Sequence, residues 1–236
     1  RATRRDGGGA MTRHPLDRPI WSALTMRQRD LAVGDDLARR FDPEIGPFAA
    51  IAEDDDEHLA RLASLVAEHG RAVLLQRGDI PVPQGTVVRL SADGVQLVLD
   101  RLAAVPTTGR IEQLGPADAT EMIALAKLTE PGPFEARTPE LGGFVGVRVD
   151  GRLVAMAGER MKPEGFTEVS GVCTHPDHRG HGYAAMLSAA VADRIVARGE
   201  TPFLHAFASN RSAVALYERL GFVLRTPVGV RALVAA

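Results

Sequence analysis

Apolar positions along this chain alternate between a spacing near 3.6 and a spacing near two, so helices and strands take turns. "YAAMLSAAVADRIVARG" sets Met186, Leu187, Ala190, Val191 and Ile195 on one helical face and stops at Gly199. "PADATEMIALAKLT" predicts a second amphipathic helix with Asp118 near its start, and "DDDEHLARLASLVAEHG" a third, acidic in its first turn and ended by Gly70. "NRSAVALYERLGF" reads as a short helix begun at Asn210 and stopped at Gly221, while "HPLDRPIWSALTMRQRDLA" is helical in parts. "RAVLLQ", "PFAAIA", "GFTEVSGVCTH" and "TPFLHAFA" read as strands. "GFVGVRVDGRLVAMAGERM" predicts two strands turning at Asp150-Gly151, "TVVRLSADGVQLVL" a hairpin turning at Asp93-Gly94, and "FVLRTPVGVRALV" a final strand pair.

The segment "AAVPTTGRIEQLGPAD", residues 103–118, interrupts this alternation with Pro106, Thr107, Thr108 and Gly109. It predicts an N-terminal α/β part, 14–105, and a C-terminal part, 106–236, preceded by a flexible leader over 1–13 in which Met11 is a plausible start. The leader's twin arginine is followed by "MTRHPLDRPIW", which lacks the apolar core of a signal peptide. The C-terminal part runs hairpin, strand, helix, strand, helix, strand, which implies a mixed sheet flanked by helices.

Charge narrows the class. Asp and Glu total 30 against 28 Lys and Arg, a net charge of −2, which offers no electrostatic footprint for nucleic acid or an anionic membrane. All but Lys127 and Lys162 of the basic residues are arginine. The lone cysteine, Cys173, excludes an internal disulfide and suits a reducing cytoplasm. The run Asp54, Asp55, Asp56 and Glu57 reads as a solvated helix start rather than a metal cluster. Oligomeric state is left open, a homodimer included.

The chemistry concentrates in "CTHPDHRGHGYAAML", residues 173–187. His175, His178, His181 and Cys173 suggest zinc, but Pro176, Gly180 and Gly182 make the segment a loop, and no second ligand pair completes a tetrahedron. No metal is expected. Gly180, Gly182 and Ala185 fit a dinucleotide fingerprint, yet "THPDHR" separates them from the strand and the next strand ends without a carboxylate, which counts against a NAD-linked oxidoreductase. Arg179, Gly182 and Ala184 give RxxGxG/A, a turn whose amides converge at the positive end of a helix beside an arginine. That arrangement suits a pyrophosphate.

"VCTHPDHRGHGYAAML" followed by "NRSAVALYERLGF" resembles the GNAT superfamily of acyl-CoA-dependent N-acetyltransferases, over about residues 106–236. The style of "EVSGVCTHPDHRGHGYA" with "TPFLHAFASN" is similar to the branch containing glycine N-acyltransferase-like proteins. The resemblance implies an α/β fold with a mostly antiparallel twisted sheet, whose first half fits a degenerate copy of the second. It implies acetyl-CoA as donor, a small-molecule amine as acceptor and direct attack of the amine. Cofactor contacts are implied at Val172, Cys173 and Thr174 through their backbone, at Arg179, Gly180, His181, Gly182, Tyr183 and Ala184 in the turn, and at Asn210 and Ala213. Tyr217 takes the place of the acid that protonates the leaving sulfur, and Glu168 that of a base acting through water. Cys173 as a nucleophile lacks an identifiable base. A non-catalytic acyl-CoA sensor, with its acceptor site filled by the first half, is the alternative.

Overall fold

The computed structural model describes residues 14–236; the expected leader, residues 1–13, lies outside the described residues. In chain order come α1 (Pro19–Thr25), β1 (Ala32–Gly34), β2 (Ala38–Phe41), β3 (Ala49–Ile51), α2 (Asp56–His69), β4 (Ala72–Gln76) and β5 (Thr86–Leu99). Then follow β6 (Glu112–Gln113), α3 (Ala119–Thr129), β7 (Val145–Val149), β8 (Arg152–Glu159), β9 (Phe166–Thr174), α4 (Tyr183–Ala197), β10 (Thr201–Phe207), α5 (Arg211–Arg219) and β11 (Phe222–Ala235). An eight-stranded sheet has the order β4-β11-β5-β10-β9-β8-β7-β6 and is antiparallel except between β9 and β10. A three-stranded antiparallel sheet, β1-β2-β3, meets it through one parallel contact, Phe48 to Val73. The fold is thus the mixed, mostly antiparallel α/β arrangement expected.

The two halves repeat one plan. β1-β2-β3 are antiparallel and α2 leads to a parallel neighbour, β4; β7-β8-β9 are antiparallel and α4 leads to a parallel neighbour, β10. Each half then gives its last long strand to the other. β5 lies against β10, β11 lies against β4, and β5 and β11 pair with each other at the centre. This is the relation a degenerate copy would show, and it carries one sheet across the 103–118 segment. Among the described residues only the second half has a helix, α5, between its last two strands.

Two expected turns do not form. Asp93 and Gly94 sit inside one continuous strand, β5, where Asp93 faces Gly229 and Gly94 faces Val228 of β11 and Phe207 of β10. A local hairpin would pair 86–92 with 95–99, but β11 and β10 offer partners on both edges at once, and those long-range ladders override the local turn signal. The C-terminal segment is likewise one strand, β11, with Arg225 left over in a bulge between Leu224 and Thr226. The hairpin at Asp150 and Gly151 does form, with φ of 50° and 79°.

Helices cover both faces. Leu187, Val191 and Ile195 of α4 are fully buried against Val154, Ala155 and Leu204. Met122, Leu125 and Ala126 of α3 pack with Leu153, Met156 and Cys173. Leu62, Leu65 and Val66 of α2 close the far end over Leu74 and Leu233. Fully burying each such aliphatic side chain contributes about 1.5–3 kcal/mol.

Candidate active site

The parallel ladder between β9 and β10 is short. Phe166, Thr167 and Glu168 pair with Thr201, Pro202 and Phe203, after which β9 continues beside β8 and β10 beside β5. From residue 169 on the two strands part, leaving facing edges with unshared backbone groups. β9 also bulges there. Met156 faces Cys173 and Gly158 faces Ser170, so Gly171 and Val172 together oppose one residue of β8. Gly171 takes φ of 62°, a value that favours glycine, and the extra residue turns Val172 into the opening.

That opening leads to a cavity of about 600 Å³. Val172, Asn210, Ala213 and Tyr217 line it, four of the residues expected from sequence. The last three lie at i, i+3 and i+7 along α5, which puts them on one helix face. Asn210 Oδ1 accepts hydrogen bonds from the Ala213 N–H and from Ser212 Oγ, so it caps the helix as well as facing the cavity. Tyr217 packs edge-on to Phe222 at 6.1 Å. Burial and the negative charge of Glu168 push its phenol up to about 12, so it carries its proton at neutral pH.

Glu168 does not line the cavity; the two side chains that hold it, Arg160 and His205, do. It is fully buried at the point where the strands part. Arg160 donates to both of its oxygens at 2.8 and 2.7 Å, His205 Nδ1 donates at 2.7 Å, and the Met161 N–H lies at 3.3 Å. Burial alone would raise this carboxyl's pKa. The Arg160 charge, with hydrogen bonds from Arg160 and His205, outweighs it and holds the value at about 2. His205 in turn faces Gln96 Nε2 at 3.0 Å. Gln96 is oriented by donating to the Leu16 carbonyl at 2.8 Å and accepting from Arg225 at 2.9 Å, so its amide N–H points at His205 Nε2. These contacts put a proton of the imidazole on Nδ1, facing Glu168. The Arg225 bulge makes this possible by turning the guanidinium inward to Gln96 and to Asp17, 2.7 Å away.

Arg179–Gly182 form an exposed turn after β9, outside the cavity lining. Gly180 has φ of 84°, and Gly182, the residue preceding α4, has φ of 78°. No side chain caps α4 and no acidic residue sits in its first turn, so its first amides stay open. Arg179 makes no ion pair with a described residue. These features fit an anionic group: free donors, the positive helix end and an uncommitted guanidinium. His181 stacks on Tyr183 at 5.6 Å. Among the described residues no three of His, Cys, Asp or Glu are placed to share a metal ion.

Cys173 is buried under α3, and burial pushes its thiol up to about 11, which makes it a poor nucleophile. Its neighbour Thr174 ends β9, opposite Ala155. The sequence reading missed Arg160, His205 and Gln96. The signal available for His205 was a single polar residue inside the apolar strand "TPFLHAFA".

A family model described as FR47-like protein matches residues 144–228. No curated protein matches the chain. Among solved structures, a protein of Novosphingobium aromaticivorans DSM 12444, provisionally described as an acetyltransferase from the GNAT family, is 43% identical, with 95% of this chain and 100% of that one covered and a TM-score of 0.86. A GCN5-related N-acetyltransferase of Kribbella flavida shares the fold at 19% identity, with 92% and 95% covered and a TM-score of 0.64. With parted strands, an open helix start and a tyrosine facing the gap, and with 43% identity over the whole of the Novosphingobium protein, the chain belongs to the GNAT family.

Proposed function

We propose that this protein moves an acetyl group from acetyl-CoA to a primary amine of a small molecule by direct attack. The observation that carries the reading is the parting of β9 and β10 beside Tyr217, with the uncapped start of α4 following β9. Acetyl-CoA supplies a thioester whose carbon forms the new bond to nitrogen while its bond to sulfur breaks. Arg179 and the amides of residues 180–184, His181, Tyr183 and Ala184 among them, hold its pyrophosphate. Backbone groups of Val172, Cys173 and Thr174 orient the pantetheine and donate to the reacting carbonyl. Asn210 and Ala213 form the opposite wall. Tyr217 gives its proton to the departing sulfur and regains one from solvent.

Glu168 enters this reading as a positioning residue. Its oxygens are committed to Arg160, His205 and Met161, and at a pKa of about 2 it takes a proton poorly near neutrality. The amine's proton therefore leaves through water, past Arg160 and His205. We place the chain beside the glycine N-acyltransferase-like branch on the wording of its turn, and in the cytoplasm on its lone cysteine. No described helix is long and apolar enough to cross a membrane.

Thiol release from acetyl-CoA, measured over a panel of primary amines, tests the reading. Saturable acetyl-CoA binding without turnover on any amine would favour the sensor instead. Against the sensor stands the cavity itself, which the first half borders and does not fill.

A further inference from the structure

The cavity has two unlike sides. One is built from the motif residues of the second half: Val172, Asn210, Ala213 and Tyr217. The other is apolar, built by the first half together with the strand it receives from residues that are 4–8% exposed and otherwise packed in the core with Leu16, Ile20 and Leu24. Val73 and Leu75 alternate along β4, and Val228, Val230 and Ala232 alternate along β11. Val230 lies opposite Leu75 and Ala232 opposite Val73, so all five stand on one face. Phe48 extends that face at its parallel contact with Val73, and Leu90 of β5, opposite Ala232 and 44% exposed, extends it on the other side. Three adjacent strands span about 10 Å, the length of a medium alkyl chain or a substituted ring.

Gly94 keeps this floor open. A Cβ there would lie 3.0 Å from Val228 Cγ2, 3.3 Å from the Ala206 carbonyl oxygen and 3.5 Å from Val230 Cγ2. The inner end of the wall is closed by Arg160, whose guanidinium lies 4.4 Å over the Phe48 ring while it bonds Glu168. Arg71, Lys127, Glu130 and Glu135 also border the cavity, with Arg71 and Glu135 at 3.6 Å. The strand residues of this wall offer a bound molecule no polar side chain. A hydroxyl or second ammonium laid along it would lose water without gaining a partner.

We infer that this wall is the acceptor site, and that the acceptor is a primary amine carried on an apolar body, with the amine at the Arg160, His205 and Tyr217 end. The position of the amine rests on the acyl-transfer reading; the apolar preference rests on the wall alone.

The test uses the full chain. Binding of propylamine, butylamine, pentylamine and hexylamine is measured by calorimetry with CoA present, beside 6-amino-1-hexanol and 1,6-diaminohexane, and thiol release from acetyl-CoA is followed with the same amines. Affinity and kcat/KM are expected to rise about 3- to 4-fold per methylene, and the two polar amines to fall at least about 10-fold below hexylamine. Val230→Thr, close in shape, should weaken hexylamine roughly 3- to 10-fold and propylamine less. Gly94→Val should cap the gain at a shorter chain. A flat series in the wild-type protein, or a preference for the polar amines, overturns the inference whether or not either variant folds. Thiol release that ignores chain length would leave acyl transfer standing and remove the apolar acceptor. Chain-length-dependent binding without thiol release would do the reverse.

Discussion

The junction between β3 and α2 and the junction between β9 and α4 hold the same place in the two halves: a strand, a turn, and a helix leading to a parallel strand. Their electrostatics are opposed. The first carries Asp54, Asp55 and Asp56, and Asp55 caps α2 by accepting the His58 N–H at 3.1 Å. Hydrogen bonds from the His58 side chain and backbone hold that carboxyl below the usual range. The second has Gly182 at the equivalent position, no side-chain cap and no acid in the first turn. One helix start is already filled by its own carboxylate, and the other is left for a ligand. A shared frame therefore does not imply shared binding; a few residues at each helix start decide it.

The point where the parallel strands meet differs as well. In the first half it holds Phe48, and in the second Glu168; Arg160 touches both. Glu168→Gln should have the largest effect, because it leaves Arg160 without its buried partner: a loss of about 3–5 kcal/mol in urea unfolding. The pH dependence sharpens this. Glu168 is held at about 2, below its ordinary 4.5, so its contribution is complete above about 4.5 and is lost as pH falls toward 2. Wild-type stability should drop across that window more than the variant's does, and equal slopes would show that the pair contributes nothing.

Next comes α5, which has no counterpart between the last two strands of the first half among the described residues. Tyr217→Phe should lower kcat roughly 10- to 1000-fold with little change in acetyl-CoA affinity, as expected for a lost acid. Wild-type turnover would remove the residue from the mechanism. Gly182→Asp, which makes the second junction like the first, should weaken acetyl-CoA binding about 10-fold or more through like charge and a strained backbone. An unchanged dissociation constant would mean the contrast between junctions has no bearing on the ligand. Asp55→Ala should do least: a melting temperature lower by a few degrees from the lost cap, with acetyl-CoA affinity untouched. Any loss of that affinity would show that the first junction takes part after all.

What the sequence made legible was local. Asp150-Gly151, the Asn210 cap, the Gly199 stop and the RxxGxG/A turn each depend on a few neighbouring residues, and each is found where expected. Asp93-Gly94 carried an equally local signal and failed, because pairing with β11 and β10 decided the conformation. Gly94 is needed there for space rather than for a bend. Gln96 lies on β5, His205 on β10 and Arg160 just after β8, and their meeting follows from a sheet order in which a first-half strand is inserted between two second-half strands. No spacing in the chain encodes that insertion. The FR47-like match likewise begins at residue 144, leaving out β5.

That exchange of end strands makes the halves hard to separate. A chain begun at residue 106 would lack the strand that covers β10 and borders β11, and a chain ended there would lack the strand that joins β4 to β5. Each piece alone would bare a sticky sheet margin, whereas the two pieces mixed together supply what the other is missing. Cutting the chain between the halves should therefore leave each fragment prone to self-association alone and soluble only when the two are refolded together.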